Sequence, residues 1–375
     1  MLKYYPPPAK PDFAGPITKD VYEETIPDVK FADLFCGCGG NVEGATQACL
    51  RLVYAIDIWE PAILTLRHNH DSIDNLIVLG DVERHIDEIV DKCTVGDVNI
   101  VMGSPPCGSF SLMGKRMSDD KRAKYPYVFL DIVSKVKPQA FIMENVVGIK
   151  SILIKRNGKT IKLYSNLKDI AMLNGYYIND LELNAADFGV PQVRRRVFLI
   201  GFKNRETYRR FQLEPTHSNE IGSLGKYIDL DLRRWITIRD ALKSIPESAS
   251  NHDAKSYDPK FMKKMMDLPI GESLYKFRGS WHKPDPDKPA PTVMEHHGGV
   301  FIKWDEGRTM TVRELARLQG FPDRFEFIGE YGDQLKQVGN AVPPPLMKRI
   351  AISVARAISK EYDFWSRSIP AVRLE

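Results

Sequence analysis

The chain has 375 residues, 43% of them hydrophobic and 27% charged, a balance that excludes a disordered or fibrous protein and gives length for one large domain plus a smaller one. Its formal charge of +4 is compatible with a polyanionic partner but does not select one, because many metabolic enzymes carry a similar excess. No uninterrupted apolar stretch approaches the ~20 residues that cross a bilayer, and the N-terminus lacks the apolar core of a signal peptide, so the expectation is a soluble intracellular protein with no membrane partner.

Residues 1–28 carry Pro6, Pro7, Pro8, Pro11 and Pro16, which favour extended backbone and forbid regular helix, and they read as an arm. From 29 to 201 short apolar runs alternate with amphipathic stretches. The runs lie at 31–35, 52–56, 76–79, 98–102, 140–143, 177–183 and 197–200. Strands of this length separated by helical segments predict an α/β fold with a parallel-rich, doubly wound, Rossmann-like sheet. Ligands of such sheets sit at the carboxyl ends of the strands, so the chemistry is sought just after each run. Between 202 and 304 the periodicity breaks down. Gly, Pro and Ser are scattered there among Arg209, Arg210, Arg233, Arg234, Arg239, Lys263, Lys264, Arg278 and Lys283, which predicts a second, irregular domain. Helical spacing returns at 311–319 and again after Pro343, Pro344 and Pro345, where prolines are tolerated at a helix start. Residues 305–375 are therefore assigned to the first domain together with 29–201.

The first run contains Asp33 and Phe35 and passes into Gly37, Gly39 and Gly40, where glycine lets backbone approach a ligand closely. Taken alone, these glycines fit a nucleotide-like cofactor or a plain strand-to-helix turn. Asp57 closes the second run twenty residues after Gly37, followed by Ile58, and Asp81 with Val82 follows the third. A Gly-rich loop and two acids at three consecutive strand ends favour the cofactor, with Asp57 placed to accept from ribose hydroxyls. The five cysteines, Cys36, Cys38, Cys49, Cys93 and Cys107, include no CxxC pair, which argues against a disulfide framework and a structural zinc site, and no metal is expected.

The fourth run leads into Gly103, Ser104, Pro105, Pro106 and Cys107. Two prolines fix the backbone just ahead of a thiol and aim it at the strand-end crevice, an unusual setting for a packing cysteine. The fifth run ends in Glu144 and Asn145, and the four apolar residues before Glu144 argue against a solvated carboxylate. Further on, Arg194 and Arg196 share one face of an extended segment and Arg195 takes the other.

In this order the segments resemble the DNA (cytosine-5-) methyltransferase family. The resemblance covers roughly residues 31–201 and 305–350. It is carried by Pro-Pro-Cys at 105–107, Glu-Asn-Val at 144–146, Gln-x-Arg-x-Arg at 192–196, Arg-Glu-x-Ala-Arg-Leu-Gln-Gly-Phe-Pro at 313–322 and Gly-Asn-Ala-Val-Pro at 339–343. It implies an S-adenosyl-L-methionine-dependent methyltransferase sheet and methylation of carbon 5 of cytosine on a base flipped out of double-stranded DNA. It makes Cys107 the covalent nucleophile, gives Glu144 the hydrogen bond to cytosine N3, and gives Arg196 with Arg194 the support of that pocket. Asp33, Phe35, Gly37, Gly39, Asp57, Ile58, Asp81, Val82, Pro106 and Asn340 would hold the cofactor. Asn340 lies in a late segment that in the family folds back beside the first strand. Residues 202–304 become a target-recognition domain. The chain is expected to act as a monomer on DNA, with a cognate restriction endonuclease as a candidate companion. One departure is visible: the family usually has Gln after the nucleophile, and Gly108 stands here. The stretch 112–124 carries five cations, Lys115, Arg116, Lys121, Arg122 and Lys124, suited to closing over phosphates. Methylation of tRNA cytosine and a catalytically silent DNA-binding role are the alternatives.

Overall fold

A computed structural model describes residues 28–106, 121–156, 159–219, 232–275, 281–294 and 301–359. Cys107, Gly108, most of the cationic 112–124 stretch and nearly all of the proline-bearing arm lie outside the described residues.

The apolar runs become the strands β1 (Lys30–Leu34), β2 (Arg51–Asp57), β3 (Ile77–Leu79), β4 (Ile100–Gly103), β5 (Ala140–Val146), β6 (Tyr177–Asn184) and β7 (Arg195–Phe202). They form one seven-stranded sheet in the order β3-β2-β1-β4-β5-β7-β6. β1, β4 and β5 are buried along almost their whole length, as central strands covered on both faces must be, and this is why they read as unbroken apolar runs. The edge strand β6 has only exposed and half-buried positions instead. Adjacent pairs from β3 to β5 are parallel, whereas β7 runs antiparallel to both β5 and β6. That reversal brings the start of β7, with its arginines, to the edge where the other strands end. The winding changes direction between β1 and β4, and a crevice opens at the carboxyl ends of strands that part in this way.

Helices cover both faces. α1 (Gly40–Gln47), α2 (Glu60–Asn69) and the last described helix pack on one face, through Val42, Ala45, Ile63, Leu66, Leu346, Met347 and Ile350. α3 (Ile86–Val95), α4 (Tyr125–Val136) and α5 (Leu163–Leu173) pack on the other, through Ile89, Cys93, Phe129, Val133, Leu163 and Leu167. A third apolar cluster joins Ile238, Ala241, Ala290, Val293 and Phe301 to α6 (Val312–Leu318) and α7 (Tyr331–Asn340), and reaches Cys38 and Ala62 on the sheet domain. Packing thus runs across position 305 without a break.

α6 begins with a capping box: the Thr311 hydroxyl accepts from the Glu314 N–H, and the Glu314 carboxylate accepts from the Thr311 N–H, so two N–H groups of the first turn are satisfied reciprocally. Its two arginines are structural. Arg313 donates to the carbonyls of Ser250, Pro322 and Phe325. Arg317 pairs with Asp323 and donates to the carbonyls of Ala241 and Lys243. The chain then enters α8 (Pro344–Ile358), whose first turn carries proline. Among the described residues no helix is long and apolar enough to cross a membrane.

Candidate active site

The site grows from the strand ends. Asp33 is fully buried at the end of β1. One of its oxygens accepts from Asn41 Nδ2 at 3.1 Å, and the other, like Asn41 Oδ1, is buried with no partner. Burial pushes the Asp33 carboxyl well up, and Asp57 adds to this. Phe35 follows with a left-handed backbone, φ 59°, a conformation that bulky residues adopt only where their surroundings impose it. Its ring meets the edge of Tyr125 at 5.6 Å. Gly37 and Gly39 turn the chain into α1 with φ 53° and 94°.

Asp57 at the end of β2 pins that loop. It accepts from the Gly37 N–H and the Trp59 N–H, both at 2.9 Å. Burial still raises its carboxyl, and each oxygen keeps a lone pair for a further donor. Ile58 beside it is 67% exposed, an apolar surface open to solvent just after the end of β2. Asp81 caps a short turn by accepting from the Glu83 N–H at 3.0 Å, with Val82 buried behind it. Two orphaned acceptors, two glycines in left-handed geometry, a row of three carboxyls and an uncovered isoleucine fit a ligand with a cationic end, hydroxyls and a flat ring. S-adenosylmethionine has this character.

At the other end of the crevice β4 runs into Ser104, buried Pro105 and exposed Pro106. Asn145 Nδ2 donates to the Pro105 carbonyl at 2.9 Å, so the end of β5 holds the loop that leads to Cys107. Glu144 is buried on the neighbouring strand. Arg196 stands diagonally across the β5–β7 ladder on the same face, since Val146 pairs with Arg196 and Glu144 with Phe198. Its Nε lies 3.2 Å from Glu144 Oε1. Burial raises the Glu144 carboxyl, and Arg196, Arg194 and the Ser104 hydroxyl pull it back down. A carboxyl poised in this way can act as a hydrogen-bond donor to a ring nitrogen or stabilise charge that arrives there.

Arg194 takes a different position from the one the resemblance implies. It is 2% exposed and donates to the carbonyls of Val293, Gly339 and Ala341 at 2.9, 2.9 and 3.1 Å. It therefore ties the late segment to β7 and acts on Glu144 only through its charge. Gln192 completes the tie: its side chain donates to Leu318 O and Gln319 Oε1 and accepts from the Val293 N–H. The late segment reaches the Gly-rich loop. A Cβ on Gly40 would lie 2.3 Å from Val342 O, and Cys38 Sγ lies 3.6 Å from Gln337 O. Asn340 is exposed at the end of α7, just beside that contact.

Sequence reasoning passed over Asn41, Ser104 and Glu43. Glu43 is 1% exposed and pairs with Arg324, 281 positions away, and with His70, which clamps α1 to the segment after α6. Ser104 stands at a strand end, the one signal that marked it. Asn41 and Glu43 are helix residues whose partners lie on other elements.

A sequence profile of C-5 cytosine-specific DNA methylases matches residues 29–356. Type II methyltransferase M.NgoFVII of Neisseria gonorrhoeae is 32% identical over 350 residues, covering 89% of this chain and 88% of its own. Type II methyltransferase M1.HphI of Haemophilus parahaemolyticus is 32% identical over 349 residues, covering 88% of each chain. Among solved structures, a chain assigned as a prophage-encoded DNA modification methyltransferase (E. coli) superposes with a TM-score of 0.70 at 23% identity, over 88% of this chain and 99% of its own. The sheet is that of the S-adenosylmethionine-dependent methyltransferases, and the chain belongs to the C-5 cytosine-specific DNA methylase family.

Proposed function

We propose that the chain methylates carbon 5 of cytosine in a specific sequence of double-stranded DNA, with Cys107 as nucleophile and Glu144 holding the base at N3. The observation that carries this reading is the buried Glu144–Arg196 pair, 3.2 Å apart, beside a Pro105 loop fixed by Asn145. Carbon 5 of cytosine is too weak a nucleophile at neutral pH, so the ring must first be made electron-rich. Addition of the Cys107 thiolate at carbon 6 does this, and Glu144 stabilises the charge that the ring receives while Arg196 fixes the carboxyl. Bound S-adenosylmethionine supplies the electrophilic methyl group that carbon 5 takes up. A base then removes the carbon-5 proton, the electrons of that bond re-form the ring double bond, and the thiolate leaves. The cofactor seat is assigned to Asp33, Phe35, Gly37, Gly39, Asp57 and Ile58, with Asp81, Val82, Pro106 and Asn340 at its margins.

Residues 202–304 are proposed to read the DNA sequence, because basic residues are dispersed there on irregular backbone between shared catalytic blocks. The type II names of the curated relatives support a place in a restriction-modification system. The test is incubation with labelled S-adenosylmethionine and either duplex DNA or tRNA, followed by bisulfite sequencing of DNA from expressing cells. Label on DNA at one short motif, absent in Cys107→Ala, is the expected result. Label on tRNA alone, or methyl transfer by Cys107→Ala, would overturn the reading.

A further inference from the structure

We propose that the two-stranded ribbon Leu153–Arg156 and Lys159–Lys162 holds the phosphate backbone of duplex DNA outside the recognition sequence. The inference rests on the reading of double-stranded DNA as substrate given above.

From Leu153 to Lys162 the chain carries Lys155, Arg156, Lys159 and Lys162 and no acid, a formal charge equal to the +4 of the whole protein. The strands run antiparallel, pairing Leu153 with Lys162, Ile154 with Ile161 and Lys155 with Thr160. Paired residues share a face and successive ones alternate, so Ile154 and Ile161 lie on one face and Lys155, Thr160 and Lys162 on the other. Ile154 packs on the core beneath, while Lys155, Lys159, Thr160 and Lys162 are exposed. Lys155 and Lys162 are diagonal neighbours on the outer face, near enough for long side chains to repel one another.

Among the described residues no acid pairs with Lys155, Lys159 or Lys162. The cations just outside the ribbon are neutralised. Lys150 reaches Asp180 and Glu182 at 3.7 and 3.4 Å, Lys168 reaches Asp180 at 2.9 Å and Arg195 reaches Glu182 at 2.8 Å. Uncompensated like charges weaken a ribbon of two strands with one apolar face, and an anion from outside offsets that cost.

The ribbon stands at the edge of the sheet that carries Glu144. β5 ends at Val146, and a single short turn, Val147–Ser151, leads from it into the ribbon. The chain then enters α5, whose Asn166 accepts from the Tyr127 hydroxyl of α4 at 2.9 Å, so the ribbon lies beside the cationic stretch that ends at Lys124. α4 and α5 cover one face of the sheet. The part of 202–304 that packs on the sheet domain meets Cys38 and Ala62, and Ala62 belongs to α2 on the other face. The ribbon and 202–304 thus flank Glu144 from opposite faces. A duplex read by 202–304, with its target base at Glu144, continues over the ribbon. Lysine, a point charge on a flexible stem, suits the phosphates it meets there better than base edges.

The test measures the affinity of the full chain for two duplexes over a range of salt. One holds little more than the motif found by bisulfite sequencing, and the other extends the same motif by two helical turns on each side. The triple variant Lys155→Gln, Lys159→Gln, Lys162→Gln should bind the long duplex about tenfold more weakly and lower the slope of log Kd against log salt by about 2–3, since each phosphate contact contributes ~0.9. The short duplex, S-adenosylmethionine affinity and the melting temperature should hardly change. Arginine at the same three positions keeps the charges and should bind the long duplex as wild type does. Lys92→Gln with Lys137→Gln removes exposed cations from the opposite edge of the sheet and should leave both duplexes alone. An unchanged salt slope on the long duplex would overturn the proposal, and so would an equal loss on both duplexes, which would set the ribbon on the target itself. Wild-type protein that labels tRNA and leaves duplex DNA unlabelled would instead overturn the reading of the substrate, and the ribbon's partner with it.

Discussion

Replacing Gly40 with alanine tests the contact between the Gly-rich loop and the late segment. The new methyl carbon would stand 2.3 Å from the Val342 carbonyl oxygen, 3.2 Å from the Val342 nitrogen and 3.3 Å from Ala341 Cβ. The first of these is backbone and cannot rotate away, so the Ala341–Val342 segment must retreat by about an ångström from α1. Overpacking of this kind costs about 1–3 kcal/mol, and little is returned as helix propensity because Gly40 opens the helix. The same face of α1 meets α8 again at Gly44, where a Cβ would lie 2.6 Å from Pro344 O and 2.8 Å from Met347 Cβ, so the segment has no free end to swing on. We expect Gly40→Ala to lose about 2 kcal/mol in urea unfolding with the m-value unchanged, and to bind S-adenosylmethionine several-fold more weakly because Asn340 moves with the segment. Gly332→Ala is the control: no atom lies within 4 Å of a Cβ there, and the residue is in the first turn of α7. It should be neutral or gain up to ~1 kcal/mol. Gly40→Ala as stable as Gly332→Ala, with wild-type affinity, would show that α1 and the late segment do not meet as described.

Asp33→Asn should stabilise the protein without ligand. Burial raises the Asp33 carboxyl in the folded state above its unfolded value of 3.8, so folding takes up a proton, and stability falls as pH rises from that value through the folded one. The variant should melt higher than wild type at pH 7, converge with it below pH 3.8 and bind S-adenosylmethionine more weakly; a lower melting point at pH 7 would contradict the sign. Asp57→Ala should weaken cofactor binding by ~1.5–3 kcal/mol, the range of a charge-assisted hydrogen bond, and unchanged calorimetric affinity would remove Asp57 from the seat. Arg324→Met leaves Glu43 buried beside only Gln47 and His70. The cost in urea unfolding should be about 1–3 kcal/mol, below that of a fully buried pair because Arg324 is a third exposed, and Glu43→Gln in the same chain should recover most of it. Glu144→Gln should abolish methylation while cofactor affinity stays within severalfold of wild type, as single-turnover assays and calorimetry would read.

Much of this fold is local. The central strands are long enough and apolar enough to announce themselves, and the observed bounds of β2 (Arg51–Asp57) and β6 (Tyr177–Asn184) differ by a residue or so from the runs at 52–56 and 177–183. That Asp33, Asp57, Asp81 and Glu144 stand at or just after strand ends was legible because it needs strand positions and nothing else, and a doubly wound sheet makes those ends the candidates for ligand contact. The direction of β7 was not legible: an alternating segment reads the same either way, and its antiparallel pairing depends on the connection from β6. Only tertiary structure decided the fates of Arg194 and Arg196. The two share a face, yet one ends among the carbonyls of Val293, Gly339 and Ala341 and the other on Glu144, because what each guanidinium meets is set by segments about 50 to 150 positions away in the chain. Asn41 belongs to the same class. A polar residue in an early helix carries no mark of its partners, and its meaning came from the fold setting Asp33 on one side of it and Ser104 on the other.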